Sequence, residues 1–360
     1  MWAMIVKEFR QVRRDRRTLA MMIVLPIVLL VVLGYAASFD VPTITVAAAG
    51  PQARSISGLL RPPFDVVTAA PDQGRDWAQN QLRDGKADVA VVTGGASPAV
   101  LIDGSQLFAA RATQAALANL EQKVGAAAAA GSATAAKPAA GADPVVSILY
   151  NPDLNTSDIM IPGLAGVVLV FIGTIITSLG VVRERQSGTL EQLAVMPLRP
   201  RDVFLGKIVP YFAVAAADLA IVLTVGIVIF GVPFRGSAAV FGLGALLFLF
   251  VTLGIGVLIS SVSQNQGQAI QLAVMTMLPQ VLLSGLIFPL SSIAVGVRWI
   301  AYLLPLTYFN EISKGVMLRA EPLGPLWLPF TCLAVLSAVV VTLATLRFRR
   351  FLAPSRVRSA

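Results

Sequence analysis

The sequence predicts an α-helical polytopic membrane protein with six transmembrane helices. Of its 360 residues, 56% are hydrophobic and only 13% are charged, whereas about one quarter of a soluble domain is charged. The apolar residues cluster into runs of the roughly 20 residues that a helix needs to cross a bilayer. Such runs must be helical, because lipid cannot satisfy the backbone. The six runs are residues 19–39, 159–182, 208–230, 238–259, 269–288 and 326–346.

The first run, residues 19–39, resembles a secretory signal peptide in having a basic leader and a small-residue end. Its apolar stretch exceeds the ~7–15 residues of a signal core, so we predict a retained transmembrane helix. Residues 1–18 place Trp2 and Phe9 on one side and Lys7 on the other. This pattern predicts an amphipathic elbow helix that lies in the headgroup layer and contacts membrane lipid. A disordered basic leader that only sets the orientation is the alternative.

The distribution of charge predicts the orientation of the chain. The formal net charge is +9, and residues 1–18, 183–207 and 347–360 hold six, five and five Lys or Arg residues. Because Lys/Arg-rich short segments stay on the cytoplasmic side, we predict cytoplasmic N and C termini and a cytoplasmic loop 183–207. Segment 40–158, with eight basic and eleven acidic residues, then lies outside together with 289–325. The positive charge is a topology signal rather than an indication of nucleic-acid binding.

Segment 40–158 is too long for a simple loop and predicts a small extracytoplasmic α/β domain. Short β-branched stretches alternate with longer helical patterns, and Gly, Pro and Asp separate them. The Ala-rich residues 125–142 predict a flexible linker. The domain shows no phosphate loop, metal cluster or nucleophile–base set in its sequence. The predicted strands are 43–49, 64–69, 87–93, 99–103 and 145–152, and the predicted helices are 74–86 and 105–124.

The sequence pattern of residues 289–325 is typical neither of a transmembrane helix nor of a loop. Short apolar runs alternate with proline, and several aromatic residues suit a membrane interface. We predict two short, half-buried re-entrant helices that dip into the outer leaflet, an arrangement that is tolerated only where protein covers the backbone. Within this segment Glu311 and Lys314 lie three residues apart, which predicts a local ion pair.

The loop 183–207 is predicted to contain a charged and well-capped helix. Thr189 and Gln192 have the spacing of a capping box, and Glu191 lies in the first turn, where the helix dipole favours an acid. Pro197 ends the helix after about two turns. A short rigid helix with a leucine ridge can dock on a partner and transmit displacement to the spans on either side. A helix that only lies on the membrane surface would explain the same residues.

The same loop carries a family resemblance. The sequence RERQSGTLEQL at 183–193, followed by Pro197-Leu198 and Gly206-Lys207, resembles the permease signature of the ABC-2 family, the membrane subunits of ATP-driven exporters. The stretches VKEFRQVRRDRRTLAMMIVLPIVLLVVLGYA and LLPLTYFNEISKGVMLR resemble the N-terminal elbow with the first span and the region before the last span. The large segment after the first span resembles the drug-efflux subgroup. The resemblance implies a location in the inner membrane of a bacterium.

The resemblance implies that residues 184–196 form a coupling helix, which sits in a cleft of a separate ABC ATPase subunit. Two ATPase copies and a second permease subunit, identical or different, would complete the transporter. ATP and Mg²⁺ would bind to the ATPase, because FLGKI at 204–208 lacks the P-loop pattern and LSGLI at 283–287 is not the LSGGQ signature. This chain is then non-catalytic and binds no cofactor. The implied coupling residues are Glu184, Arg185, Gly188, Thr189, Leu190, Glu191, Gln192 and Leu193.

Three residues inside the apolar runs are candidates for a substrate pathway. Asp218 is the only acidic residue well inside a run; it is either a counter-charge for cationic cargo or a protonated structural group. Gln271 and Met275 lie on an apolar stretch in which glutamine and methionine recur. Such a stretch suits either varied apolar cargo or ordinary helix packing. The sequence has no histidine and a single cysteine, Cys332, which removes His-ligated metals and any disulfide within the chain.

The sequence therefore predicts a dimeric permease subunit that exports a hydrophobic or amphipathic compound, drug-like or lipid-like, and is powered by a separate ATPase. One alternative is a membrane-anchored receptor or assembly factor that works through its outer domain. A second alternative is an ion-driven secondary transporter. The capped cytoplasmic helix favours the permease, and the scarcity of charge within the spans argues against an ion relay.

Overall fold

The computed structural model describes residues 43–94, 98–129, 145–186 and 200–352. Within these ranges the chain forms a sheet-containing unit followed by a helical bundle. The predicted elbow helix 1–18 and first span 19–39 lie outside the described residues, as does most of the predicted coupling helix.

The first unit is an α/β structure whose five strands lie where the sequence predicts them. The two predicted helices are also present, and the second one continues to Ala129, into the segment predicted to be a linker. A third short helix, between the first two strands, was not predicted. The strands are β1 (Ile44–Ala49), β2 (Phe64–Ala70), β3 (Val89–Val92), β4 (Ala99–Asp103) and β5 (Val145–Leu149), and the helices are α1 (Ala53–Leu59), α2 (Arg75–Arg83) and α3 (Leu107–Ala129).

The strands form one sheet in the order β2-β1-β3-β4-β5. β4 runs antiparallel to β3, and the other neighbouring pairs are parallel. β1 is buried on both faces, which explains its nearly continuous apolar sequence. α2 covers one face through Ala78 and Leu82, which are fully buried. β4 ends at Asp103, and this end of the sheet meets the helical bundle.

The bundle contains eight α-helices in the described part of the chain, two of them joined by a π-helical segment at Ile172–Ile176. Among the described residues, four helices are long and apolar enough to cross a membrane, and they correspond to the second, third, fourth and sixth predicted spans. These four are Thr156–Arg183, Tyr211–Val228, Ala238–Val262 and Trp327–Arg347. The bundle helices are α4 (Thr156–Phe171), α5 (Thr177–Gln186), α6 (Pro200–Val228), α7 (Ala238–Val262), α8 (Gln266–Leu283), α9 (Val295–Ala301), α10 (Pro305–Met317) and α11 (Trp327–Leu352).

The predicted fifth span, 269–288, is not confirmed. Its helix α8 ends at Leu283, and the chain turns through Gly285, whose φ of +77° suits glycine. Glutamines recur along α8 and a proline lies inside it. The helix is as long as the candidate span Tyr211–Val228, 18 residues, but is not apolar enough to count among the four candidate spans.

The segment 289–325 contains the two short helices that its sequence predicts, α9 and α10, but α10 is more deeply buried than expected. It packs against α4, α7 and α11. Leu306, Phe309 and Ile312 are fully buried, and the ring of Phe309 stacks on that of Phe248 with centroids 4.4 Å apart. Protein therefore covers this helix, as a re-entrant backbone requires.

The π-helical segment lies against α7 at a point where both backbones carry glycine. A Cβ on Gly256 would meet the carbonyl oxygen of Gly173 and would lie 2.9 Å from the Cβ of Thr177. A Cβ on Gly173 would lie 2.6 Å from the Cβ of Thr252. Small residues at such a crossing let membrane helices approach closely.

Replacing Gly256 with Ala is expected to destabilise the bundle by about 1–3 kcal/mol, because the added methyl group has no space and must push α7 away from the π-helical segment. Gly242→Ala is the matched control on the same helix, since a Cβ there meets nothing within 4 Å. It should leave stability unchanged or slightly higher. Thermal unfolding of the purified variants in detergent measures both effects, and equal melting temperatures would contradict this packing.

Candidate functional site

The predicted coupling residues fall at a gap in the described structure. Glu184 and Arg185 belong to the last turn of α5, whereas Gly188 through Leu193 lie outside the described residues. α5 ends at Gln186, and the amide nitrogen Nε2 of Gln266, at the start of α8, donates a hydrogen bond to Oε1 of Gln186 over 3.1 Å. A displacement of the end of α5 would therefore reach α8 directly.

The predicted cargo residues lie on two different helices. Asp218 is half-buried on α6, beside the buried Ala215 and Leu219, and no hydrogen bond or ion pair reaches it from the described residues. Gln271 and Met275 lie one turn apart on α8 and are also half-buried. α6 packs mainly against α4, α7 and α11, whereas α8 packs mainly against α5, α7 and α10. The structure thus brings Gln271 and Met275 together but does not bring Asp218 to them.

An ion cluster that the sequence did not predict joins the α/β unit to the bundle. Nη2 of Arg319, just after α10, lies 2.8 Å from Oε1 of Glu321, and its Nη1 lies 3.6 Å from Oδ2 of Asp103 at the end of β4. Nη1 also donates to Oγ of Ser105 over 3.2 Å. The side chains of Asp103 and Arg319 are only 1% and 5% exposed. A buried guanidinium is thereby shared between two units of the fold.

The protonation of this ion cluster is set by burial and by Arg319. Burial raises the pKa of Asp103 and raises that of Glu321 to about 7, while the positive charge of Arg319 acts in the opposite direction. Burial alone would lower the pKa of Arg319, but the two carboxylates outweigh it and raise that pKa, so Arg319 stays charged. The second carboxylate oxygen of Glu321 contacts the position where a Cβ on Gly315 would lie. Glycine at 315 therefore makes room for this carboxylate.

A cavity of about 270 Å³ lies beside the ion cluster, between the α/β unit and α10. Lys314 is 8% exposed, and its Nζ donates to the backbone oxygen of Gly285 over 3.4 Å. The charges of Glu311 and Lys314 interact, but the described residues show no direct salt bridge between them, because Lys314 turns to this carbonyl at the end of α8. The lining residues are Gly85, Asp88, Gln106, Ser284, Gly285, Pro289, Leu290, Ser291, Thr307, Asn310, Glu311, Lys314 and Arg319.

Together these features define a helical membrane protein with an α/β unit attached to the bundle through buried charges. The chain belongs to the ABC-2 transporter family: the family described as "ABC-2 family transporter protein" matches residues 16–346. The match covers the α/β unit, the signature loop and the helical bundle as far as residue 346 within α11, so the resemblance read from the signature loop is confirmed.

Curated relatives carry permease names. The chain is 35% identical over 206 residues to "Probable multidrug ABC transporter permease YbhR" of Escherichia coli, covering 57% of this chain and 56% of that protein. It is 34% identical over 173 residues to "Probable multidrug ABC transporter permease YbhS" of the same organism, covering 48% and 46%. "Inner membrane transport permease YhhJ" is 30% identical over 216 residues, covering 58% and 57%. The chain thus spans about half the length of the curated relatives that it matches.

Proposed function

We propose that this chain is the non-catalytic permease subunit of an ABC-2 exporter, and that two permease subunits and two copies of a separate ATPase form the transporter. The match to the ABC-2 family over residues 16–346 carries this proposal. The cargo is a hydrophobic or amphipathic compound, drug-like or lipid-like. The names of the two multidrug permease relatives support this cargo class.

The proposed topology places the α/β unit outside and the coupling segment inside, in the inner membrane of a bacterium. The membrane-length helix Thr156–Arg183 begins just after β5 and ends at the predicted coupling segment. Its 28 residues extend about 42 Å, more than the ~30 Å hydrocarbon core. The α/β unit and Gln186, where α5 ends, therefore lie at opposite ends of this helix, which supports a cytoplasmic location for the basic loop 183–207.

The proposed mechanism uses residues 184–196 as the joint with the ATPase. Closure of two ATPases would push the two coupling helices together and tilt α5, and the hydrogen bond between Gln186 and Gln266 would pass this motion to α8. Gln271 and Met275 lie on α8 and would move with it, which makes them the better supported cargo contacts. Asp218 remains a candidate for cationic cargo or a structural carboxyl on α6.

The test is a leucine-ridge substitution in the proposed coupling helix. In the wild type an ABC ATPase should copurify with the chain from host membranes, and its hydrolysis should rise in the complex. Leu190→Asp should lower copurification, stimulated hydrolysis and uptake into inside-out vesicles at least about tenfold, since tenfold corresponds to only about 1.4 kcal/mol of lost interface energy.

Leu352→Asp, the same change at the end of α11, is the control and should keep all three activities. If no ATPase copurifies with the wild-type chain, the proposed permease function is wrong, and the receptor or the ion-driven transporter is favoured. Full activity of Leu190→Asp would show that this helix does not couple the permease to the ATPase.

A further inference from the structure

The cavity beside α10 contains two opposite charges that the protein does not pair with each other. Glu311 is an exposed residue that lines the cavity, and no ion pair reaches its carboxylate from the part of the chain that the structure describes. Lys314 has only the long hydrogen bond to Gly285, although an ammonium carries three donors. Both side chains belong to α10 and line the same space.

The other charged groups around the cavity already have partners. Arg319 is held by Asp103 and Glu321. Oδ2 of Asp88 accepts hydrogen bonds from the backbone nitrogen of Thr45 over 2.8 Å and from its hydroxyl over 2.7 Å. The charges left for a ligand are therefore one carboxylate and one ammonium.

Buried neutral groups in the cavity wall are unsatisfied as well. The hydroxyl oxygen of Ser284 is buried and has no hydrogen-bond partner, and Ser284 is 1% exposed. The side-chain oxygen of Asn310 also lacks a partner, and Asn310 is 4% exposed. Water cannot reach either oxygen, and that of Asn310 is directed at Gly163 of α4, so both lie behind the cavity wall and the charged pair has to carry the recognition of a guest.

The size of the cavity limits the guest. Its volume of about 270 Å³ is below the ~300–1,000 Å³ of pockets that enclose a drug-sized molecule. It exceeds the ~30 Å³ of a single water many times over. The cavity therefore has room for a small polar group of the size of a lipid headgroup.

We propose that this cavity binds a small zwitterionic group whose ammonium faces Glu311 and whose phosphate or carboxylate faces Lys314. A lone cation would be repelled by Lys314, and a lone anion by Glu311, whereas a zwitterion satisfies both. The group comes either from a phospholipid headgroup, such as that of phosphatidylethanolamine, or from a free molecule such as ethanolamine phosphate. The assignment stands on cavity geometry and does not depend on ATPase coupling.

The test uses the purified, delipidated full chain in detergent. Native mass spectrometry measures binding of phosphatidylethanolamine and of phosphatidylglycerol, which lacks the ammonium, and calorimetry measures ethanolamine phosphate. The wild type should bind phosphatidylethanolamine or ethanolamine phosphate, and should bind phosphatidylglycerol at least about tenfold more weakly. Binding of the lipid alone assigns the site to a headgroup, and binding of free ethanolamine phosphate shows that the zwitterion is sufficient.

Glu311→Gln and Lys314→Met should each weaken this binding about tenfold or more. Lys86→Met, which alters an exposed lysine of the α/β unit, should bind as the wild type does. Glu311 is exposed, so Glu311→Gln keeps the proposal testable if Lys314→Met does not fold. The proposal is overturned if the wild type binds neither zwitterion, if phosphatidylglycerol binds equally well, or if a folded Glu311→Gln protein binds like the wild type.

Discussion

Replacing Arg319 with Met is expected to destabilise the protein by about 3–5 kcal/mol, because it leaves two buried carboxyl groups without their cation. Asp103 and Glu321 are each 1% exposed in their side chains, so water cannot replace the guanidinium. The loss should appear in denaturant unfolding of the purified chain in detergent. It should shrink at low pH, because the carboxyl groups, whose pKa burial raises, become neutral.

A surface pair provides the matched control. Arg83→Met removes a salt bridge to Asp84 at 3.4 Å in which the arginine is 41% exposed, and such pairs contribute only about 0–1 kcal/mol. Adding Asp103→Asn and Glu321→Gln to Arg319→Met should recover part of the stability, since no charge is then stranded. A cost of Arg319→Met no greater than that of Arg83→Met would show that the ion cluster does not hold the two units together.

In the proposed transporter, the ion cluster would couple the movement of α10 to that of the α/β unit. Arg319 follows α10 directly, and α10 is packed inside the bundle, while Asp103 ends a strand of the sheet. Leu107 of the α/β unit also packs against Ile159 and Leu318 of the bundle. Motion of α10 would therefore be transmitted to the α/β unit instead of being absorbed by a loose linker.

Local patterns explain the parts of the fold that the sequence predicts. The strands of the α/β unit are short runs of β-branched and apolar residues with turn residues between them, and each is recognisable by itself. The four membrane-length helices are equally clear, because roughly 20 apolar residues in a row have few alternatives. The α8 helix departs from the prediction because counting apolar residues over 269–288 ignored the turn at Gly285.

The candidate site depends on contacts that no local pattern contains. Arg319 and Ser105 are 214 positions apart, and no sequence pattern links them. A nearby pattern was misleading: Glu311 and Lys314 have the spacing of a helical ion pair, but a buried Lys314 reaches the carbonyl of Gly285 instead. The available signal was the density of charge in 311–321, four charged residues inside an otherwise apolar segment.

The stability of the wild type relative to Lys314→Met is expected to rise by about 3 kcal/mol between pH 8 and pH 10.5. Burial, assisted by the positive charge of Arg319, lowers the pKa of Lys314 from 10.5 to about 8, although Asp103 and Glu311 act in the opposite direction. The unfolded chain therefore binds a proton that the folded chain lacks in this pH range, so stability increases with pH. The magnitude follows from about 1.36 kcal/mol per pH unit.

Below pH 8 both states are protonated and the full cost of burying the ammonium is present, so the difference between the two proteins should be flat there. Denaturant unfolding of the wild type and Lys314→Met at several pH values from 7 to 10.5 measures this difference, and the comparison cancels the titration of all other groups. A zwitterion that places its anionic group on Lys314 would raise the pKa of this lysine and move the rise to higher pH. An equal pH dependence of the two proteins would mean that Lys314 titrates as an ordinary solvated lysine, and that burial does not lower its pKa.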